Sequence, residues 1–527
     1  MSGEMIDELM QLQNDTDVYA IHGAEPEVLA YAMAKYSRSA LTMKESLAEI
    51  SSQRAEQFLN TFYFQYGHRS IADLAHIPFA IERLSLLAAI ALVDEQRWDG
   101  QERSTRYQDF RKSGWFTPAL DGPNGPETAV YTAAMQSLFA GYNRLGEGML
   151  QALKVRIARP EAMKPDAYER TLKARAFDVA RYLLPLSTNT SLGQIVNART
   201  LETQVSRLLT SSFAEIRTLG EKLRVAATEP AWNVQHAAAQ ELMEELEAAT
   251  GTRDARLEQM LLKPVKAAPT LVKYAVANDY QIQTQTLLTQ AAAELMQGAA
   301  IDPAPVVDLL EGGEPLEIEL ATSLLYPHCH YSYRQLRNAV TGLAAPRLAE
   351  LIALGTQYRG RHDELLRSFH SGSGLRFDIL MDIGGFRDMH RHRRCTQLLQ
   401  DFTDLHGYET PDAPGQPTLA EAGLEAEFPS AIDAAYAAYR HVRDSGVPEA
   451  AESARYCLPL ATRCRSLFKM DFAEALYISE LRSGVAGHYS YRRVAWEMYQ
   501  AVQRQHPSLA PMFRIDDVTE PVDLLRR

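Results

Sequence analysis

Between Arg387 and Arg394 the chain sets Arg387, His390, Arg391, His392, Arg393 and Arg394 within one or two turns. Self-repulsion makes such a run costly in a chain of formal net charge −13. A bound anion removes that cost, and a phosphate or an electron-rich ring suits these residue types. The plain alternative is a solvated basic face. The neighbouring residues favour a site. Asp378 and Asp382 alternate with Phe377, Ile379, Met381 and Ile383 as in a strand, and Gly384-Gly385 then breaks the run ahead of a short helix. Cations in that setting lie where α/β and α+β proteins bind ligands. A second set is Glu102-Arg103-Ser104-Thr105-Arg106-Tyr107, in which Ser and Arg can grip a phosphate from two sides, as neutral donor and as cation. On its own, that stretch reads equally as a polar loop.

The elements that must position these residues are mostly helical. Pro26 to Tyr36 and Ala40 to Gln57 carry apolar residues at helical spacing. His76 to Ile81 predicts a short strand and Glu82 to Val93 a helix with a broad apolar face. Thr128 to Arg159 and Tyr168 to Arg181 predict two further helices, the second closed by Pro185. A helix opens after Asn197-Ala198-Arg199-Thr200 and carries Arg207 and Glu215. Residues 229 to 298 are rich in Ala, Glu and Gln and predict scaffold helices lying outside the sheets. Residues 300 to 315, with Pro, Gly and acids, read as a join between halves.

At 527 residues the chain exceeds one typical core, so at least two domains are expected. Its acidity argues against a protein that coats nucleic acid, although a pocket for one nucleotide is permitted. No apolar run is long enough for a bilayer, and the opening MSGEMIDELMQLQND is too polar for a secretory signal. Cys329, Cys395, Cys457 and Cys464 form no Cys-x-x-Cys pair and are too few for a disulfide framework, so a reduced, cytoplasmic protein is expected. In His328-Cys329-His330 adjacent side chains point apart, and no metal is assigned there.

The second half repeats the first. Ala454-Arg455-Tyr456-Cys457-Leu458-Pro459-Leu460 matches Ala180-Arg181-Tyr182-Leu183-Leu184-Pro185-Leu186 nearly letter for letter, and on that anchor Asn197 falls opposite Asp471 without a gap. An internal duplication with a period of about half the chain follows. The expected modules are 1–228 and 317–527, with a helical insert and linker at 229–316.

These residues resemble the flavin-dependent thymidylate synthase family. Its signature is Arg-His-Arg, seven residues, then Ser, with a Gly-His-x-Ser segment upstream and an Ala-Arg-x-x-Leu-Pro box downstream. Here the signature is split. The first half keeps Gly67-His68-Arg69-Ser70 and Glu102, Ser104, Arg106 and Tyr107, but has Asp94-Glu95-Gln96 in place of Arg-His-Arg. The second half keeps Arg391-His392-Arg393, but has Asp401 in place of the signature Ser, with Leu399 and Thr403 in place of Glu and Arg. The losses are complementary, so the halves can share composite sites. A homodimer of this chain would then imitate the family's tetramer with fewer working sites.

The resemblance implies an α+β, helix-rich fold of two tandem modules, each a small sheet packed with helices. It implies FAD, with NADPH as reductant and methylenetetrahydrofolate as one-carbon donor, in the methylation of dUMP to dTMP. By the same correspondence Arg391, His392 and Arg393 lie against the flavin, with Ser70, Asn197 and Arg199 as further cofactor contacts. Glu102, Ser104, Arg106, Arg181 and Arg455 match nucleotide contacts. Arg482 matches the arginine credited with ionising the uracil ring, and in the first half Arg207 and Leu208 compete for that place. His68, His76 and His488 are read mainly as structural histidines. Small-molecule nucleotide and folate partners are implied, with no nucleic acid and no membrane. Two alternatives stand beside this reading: a flavoenzyme of the same fold with a changed substrate, and a non-catalytic flavin- or nucleotide-binding relative.

Overall fold

The computed structural model describes residues 19, 21, 23–35, 41–49, 59, 69–122, 125–361 and 363–526. Gly67 and His68 lie outside the described residues, as does half of the stretch Ala40 to Gln57 expected to be helical. The chain divides into two compact units, one of residues 1–77, 197–202 and 223–275, the other of residues 78–196, 203–222 and 276–527. These units cut across the boundaries of the sequence repeat.

The first unit holds the helices Pro26–Lys35, Met43–Glu49, His236–Thr250 and Ala255–Leu261. Its polar anchor is the buried Glu27, whose carboxylate accepts from the backbone N–H of Thr270 and of Leu271, both at 2.8 Å.

The second unit carries two small sheets, apart from strand ends at residues 76–77 and 197. The strands are β1 His76–Ser85, β2 Asp99–Glu102, β3 Asn189–Asn197, β4 Val307–Leu309, β5 Leu375–Asp382, β6 Thr396–Leu399 and β7 Arg463–Met470. One sheet has the order β1-β3-β2 and the other β4-β5-β7-β6. The helices around these strands include α1 Leu86–Val93, α2 Pro165–Ala180, α3 Ala198–Thr210, α4 Ile383–Met389, α5 Phe472–Ser483 and α6 Tyr489–Gln505. The fold is α+β and helix-rich, built of two tandem modules.

Several local expectations need correction. The first strand runs on to Ser85, because the Ser85 hydroxyl accepts from Ala88 N at 2.9 Å and so caps the helix there. Residues 300 to 315 are more than a join, since β4 lies in them and pairs antiparallel with β5. Nor do all the 229–298 helices lie outside the sheets. Leu288 and Ala292 of the helix Asp279–Leu295 share a buried core with Leu398 of β6 and Leu467 of β7.

The duplication is visible as an approximate two-fold within the chain. The two Leu-Pro boxes cross antiparallel at Pro185 and Pro459. Leu186 N donates to Leu458 O and Leu460 N to Leu184 O, each at 2.9 Å, and Ser187–Tyr456 is mirrored by Ala461–Tyr182. Leu86 N and Leu87 N bond to the carbonyls of Thr188 and Leu186, as Ile383 N and Gly384 N bond to those of Thr462 and Leu460. The caps repeat as well: Asn197 Oδ1 accepts from Thr200 N and Asp471 Oδ1 from Glu474 N, both at 2.8 Å.

Gly384-Gly385 does not break the chain between strand and helix. Both glycines lie in the first turn of α4, which Asp382 caps by accepting from Gly385 N at 2.7 Å. A Cβ on Gly385 would stand 2.7 Å from Ser490 Oγ, and that hydroxyl is buried and bonded to Asp382. Gly385→Ala is therefore expected to destabilise the protein by about 1–3 kcal/mol through overpacking, read as a lower urea midpoint at unchanged slope.

Candidate functional site

Strand β5 is buried almost throughout and delivers α4 and the cationic turn that follows it. From the first half, β2 ends at Glu102 and leads into the loop with Ser104 and Arg106, while Arg181 follows the last residue of α2 as its C-cap. These segments meet in the second unit. Arg387 forms an ion pair with Glu102. The Arg393 guanidinium lies over the Trp98 ring, 4.6 Å from its centroid. Arg181 Nη1 donates to Asp388 Oδ2 at 3.1 Å. Arg482 Nε donates to His392 Nε2 at 2.8 Å, and its guanidinium lies 5.4 Å from the Tyr491 ring centroid.

Electrostatics follow from this crowding. Burial would raise the Asp388 carboxyl, yet Arg181, Arg106, Arg391 and Arg482 together hold it down to about 2. Burial, then Arg482 and Arg393, push His392 down to about 3, so it is neutral near pH 7. Since His392 Nε2 accepts from Arg482, its proton resides on Nδ1, 3.5 Å from Glu474. His488 is fully buried and also held neutral, first by burial and then by Arg181. It bonds to the Asp178 carbonyl at 2.8 Å, as a structural histidine does, whereas His76 is exposed.

Among the phosphate-gripping candidates, Ser104 Oγ accepts from Arg106 N at 3.2 Å. Arg106 itself is already engaged. Its guanidinium donates to Asp178 at 2.7 and 3.3 Å, to Tyr491 OH at 2.7 Å and to the Ala486 carbonyl at 3.0 Å. Burial opposes its charge, but Asp178 and then Tyr491 hold its pKa above the ordinary value. Other donors have no partner. Arg181 Nε and Nη2, Arg387 Nε and Arg393 Nε are buried without a hydrogen bond, and Arg391 is exposed.

The equivalent location across the approximate two-fold is different. There Arg207 Nη2 pairs with Glu95 at 2.7 Å, Arg367 with Asp94 at 2.6 Å, and Arg455 binds Asp401 through both oxygens at 3.0 and 2.7 Å. Arg207 to Glu95 thus mirrors Arg482 to His392. The guanidinium in that place is that of Arg207, while Leu208 is buried. Arg455 is not beside Arg391–Arg393 by any of its contacts; its partners are Asp401 and the Phe213 ring.

Ser70, Asn197 and Arg199 belong to the first compact unit. Ser70 is exposed in the turn Arg69–Leu74, Asn197 caps α3, and Arg199 Nη1 lies 3.3 Å from Asp73. Sequence reasoning missed Trp98, Asp178, Asp388 and Tyr491. Asp388 stands inside the cationic run and was visible there. Asp178 and Tyr491 had no local signal, because their partner Arg106 is remote in the chain. Among the described residues no three His, Cys, Asp or Glu side chains group as a metal site, the four cysteines are free and buried, and no helix is long and apolar enough to cross a membrane.

Comparison with known proteins bears on the family. The family model described as thymidylate synthase complementing protein matches residues 20–231 and again 356–508. A UPF0159 protein of Chlamydia muridarum is 27% identical over 96% of this chain and 93% of its own length. A flavin-dependent thymidylate synthase of Clostridium tetani is 25% identical over 38% of this chain and 76% of its own. The solved flavin-dependent thymidylate synthase of Helicobacter pylori, complexed with FAD and dUMP, aligns with 40% of this chain and 93% of its own at 17% identity and a TM-score of 0.24. With two matched segments that together span more than half its length, the chain belongs to the thymidylate synthase complementing protein family, that of the flavin-dependent thymidylate synthases, as a divergent member with two copies in tandem.

Proposed function

We propose that the chain is a flavin-dependent thymidylate synthase-like enzyme that methylates dUMP to dTMP, using methylenetetrahydrofolate and NADPH, at a composite site built from both halves. The observation that carries this reading is the Arg387–Glu102 ion pair. It joins the half that kept Arg-His-Arg to the half that kept the serine–arginine loop within one chain. The donor set fits an anionic, planar cofactor: Arg391 is exposed, and Arg181, Arg387 and Arg393 hold buried N–H groups without partners. FAD, when bound, supplies the electron transfer.

The residues supply the rest. Arg391 and Arg393 hold negative charge, and Trp98 fixes the plane of Arg393. Neutral His392 orients Arg482, leaving that guanidinium charged toward an ionising pyrimidine. Glu102, Ser104 and Arg181 act as nucleotide contacts. At the pseudo-equivalent location Arg455 and Arg207 are matched by acids and take structural roles. A homodimer would carry four modules, as a family tetramer does.

Arg391→Ala and Arg393→Ala should each weaken FAD binding by about 1.5–3 kcal/mol, the worth of a charged hydrogen bond, measured by fluorescence titration. Activity is tested by dTMP formation from dUMP and by rescue of a thymidine-requiring strain. A protein that binds no flavin and forms no dTMP would sink the reading. Asp178, Tyr491 and Ala486 engage four of the five N–H groups of the Arg106 guanidinium, which favours a second reading, a flavoenzyme of this fold with a changed substrate. NADPH oxidation that proceeds without dUMP and is stimulated by another pyrimidine would select it.

A further inference from the structure

The cationic site contains a carboxylate that the duplicated scaffold does not require. Asp388 lies three residues ahead of Arg391. The residue three ahead of Asp94, at the matching place in the first half, is Ala91. Asp388 nevertheless accepts from Arg181 Nη1 at 3.1 Å, and its side chain is 16% exposed while that of Arg181 is 2% exposed. The carboxylate therefore stands on the solvent side of a deeply buried guanidinium.

Arg181 is poorly satisfied by this contact. Its Nε and Nη2 are buried with no hydrogen-bond partner. A buried guanidinium with unused donors is incomplete, and a bidentate or tridentate anion would complete it. Arg455, its counterpart in the repeat, is by contrast bonded to both oxygens of Asp401. Arg106, Arg391 and Arg482 also act on the Asp388 carboxylate, so one acid faces four cations.

We propose that Asp388 is a built-in counter-anion that competes with the phosphate of an incoming nucleotide for Arg181 and so sets the site's selectivity between phosphorylated and unphosphorylated ligands. This rests on the nucleotide reading of the site and adds a specificity-determining residue to it. A ligand phosphate approaching Arg181 must displace the carboxylate or sit beside it against like-charge repulsion. Unphosphorylated ligands escape that repulsion. Asp388 is a positioning and selectivity residue and takes no part in bond making.

The experiment measures binding of dUMP, deoxyuridine and inorganic pyrophosphate by calorimetry to the full chain and to Asp388→Asn and Asp388→Glu. Asp388→Asn keeps the shape and removes the charge, and it should tighten dUMP and pyrophosphate by about tenfold or more while leaving deoxyuridine unchanged. Asp388→Glu should behave as the wild type. Thermal melts of each variant with and without pyrophosphate separate misfolding from altered selectivity, since a folded Asp388→Asn should gain more from pyrophosphate than the wild type does. Unchanged or weaker pyrophosphate binding in folded Asp388→Asn would overturn the inference. If pyrophosphate tightens but neither dUMP nor deoxyuridine binds any form, the counter-anion role stands for a phosphate and the nucleotide reading fails instead.

Discussion

Asp178→Ala should cost about 3–5 kcal/mol of stability, the effect of removing one partner from a buried ion pair. Asp178 is fully buried, and Arg106, itself 7% exposed, donates to both of its oxygens. Arg175, 2% exposed, lies 3.9 Å away. Neither guanidinium can shed its proton, so the substitution leaves uncompensated charge between α2 and the segment leading into α6. Asp178→Asn keeps the volume and one acceptor, and should fall between alanine and wild type. Urea unfolding with unchanged slope checks both. A cost below about 1 kcal/mol for the alanine variant would mean that water reaches this pair and screens it.

Acidification should produce the second large effect. Burial lowers His328 to about 4, His392 to about 3 and His406 to about 4, from an ordinary value of 6.5. Asp401 opposes the shift at His328, while nearby arginines add to it at the other two. In the unfolded chain each imidazole takes up its proton near 6.5. The folded chain does so only at the lower value, so between these limits the unfolded state binds more protons and stability is lost as the pH falls. By pH 5 the loss is about 2 kcal/mol for each group and about 6 kcal/mol for the three. Asp378, Asp382 and Glu215, raised by burial, act in the opposite sense. The differential measurement is therefore the decisive one. His406→Gln and His328→Gln should each flatten the urea-midpoint profile between pH 7 and 5, and profiles parallel to wild type would refute the assignment.

Much of the architecture was legible because it is written twice. The Arg-Tyr-x-Leu-Pro-Leu box repeats, and those boxes turn out to pair with one another at Pro185 and Pro459. The helices Pro126–Arg156 and Pro165–Ala180 were legible from apolar spacing. Short strands were not: β2 and β6 span four residues each, too few for a period to register. β3 alternates buried Thr190, Leu192, Gln194 and Val196 with more exposed residues, but two of those four are polar and mask the pattern. At the site the cations were legible, and so was Glu102, but which acid pairs with which cation was not. A run of arginine stands out in any acidic chain, whereas the carboxylates that tame it, Asp178 for Arg106 and Glu102 for Arg387, come from distant segments.

The antiparallel crossing of the two boxes also bears on how this chain can evolve. Where an interface joins identical subunits, every substitution appears on both sides of the axis and must suit both. Here the facing surfaces are encoded separately, so one side can drift while its mate stands still. The covalent tether meanwhile keeps them together at an effective concentration on the order of millimolar, which no dilution of the protein can lower. Substitutions that would dissociate a complex of separate copies are thereby buffered, and Asp94 facing Arg367, where its sibling position holds Arg391, is the kind of change that this permits.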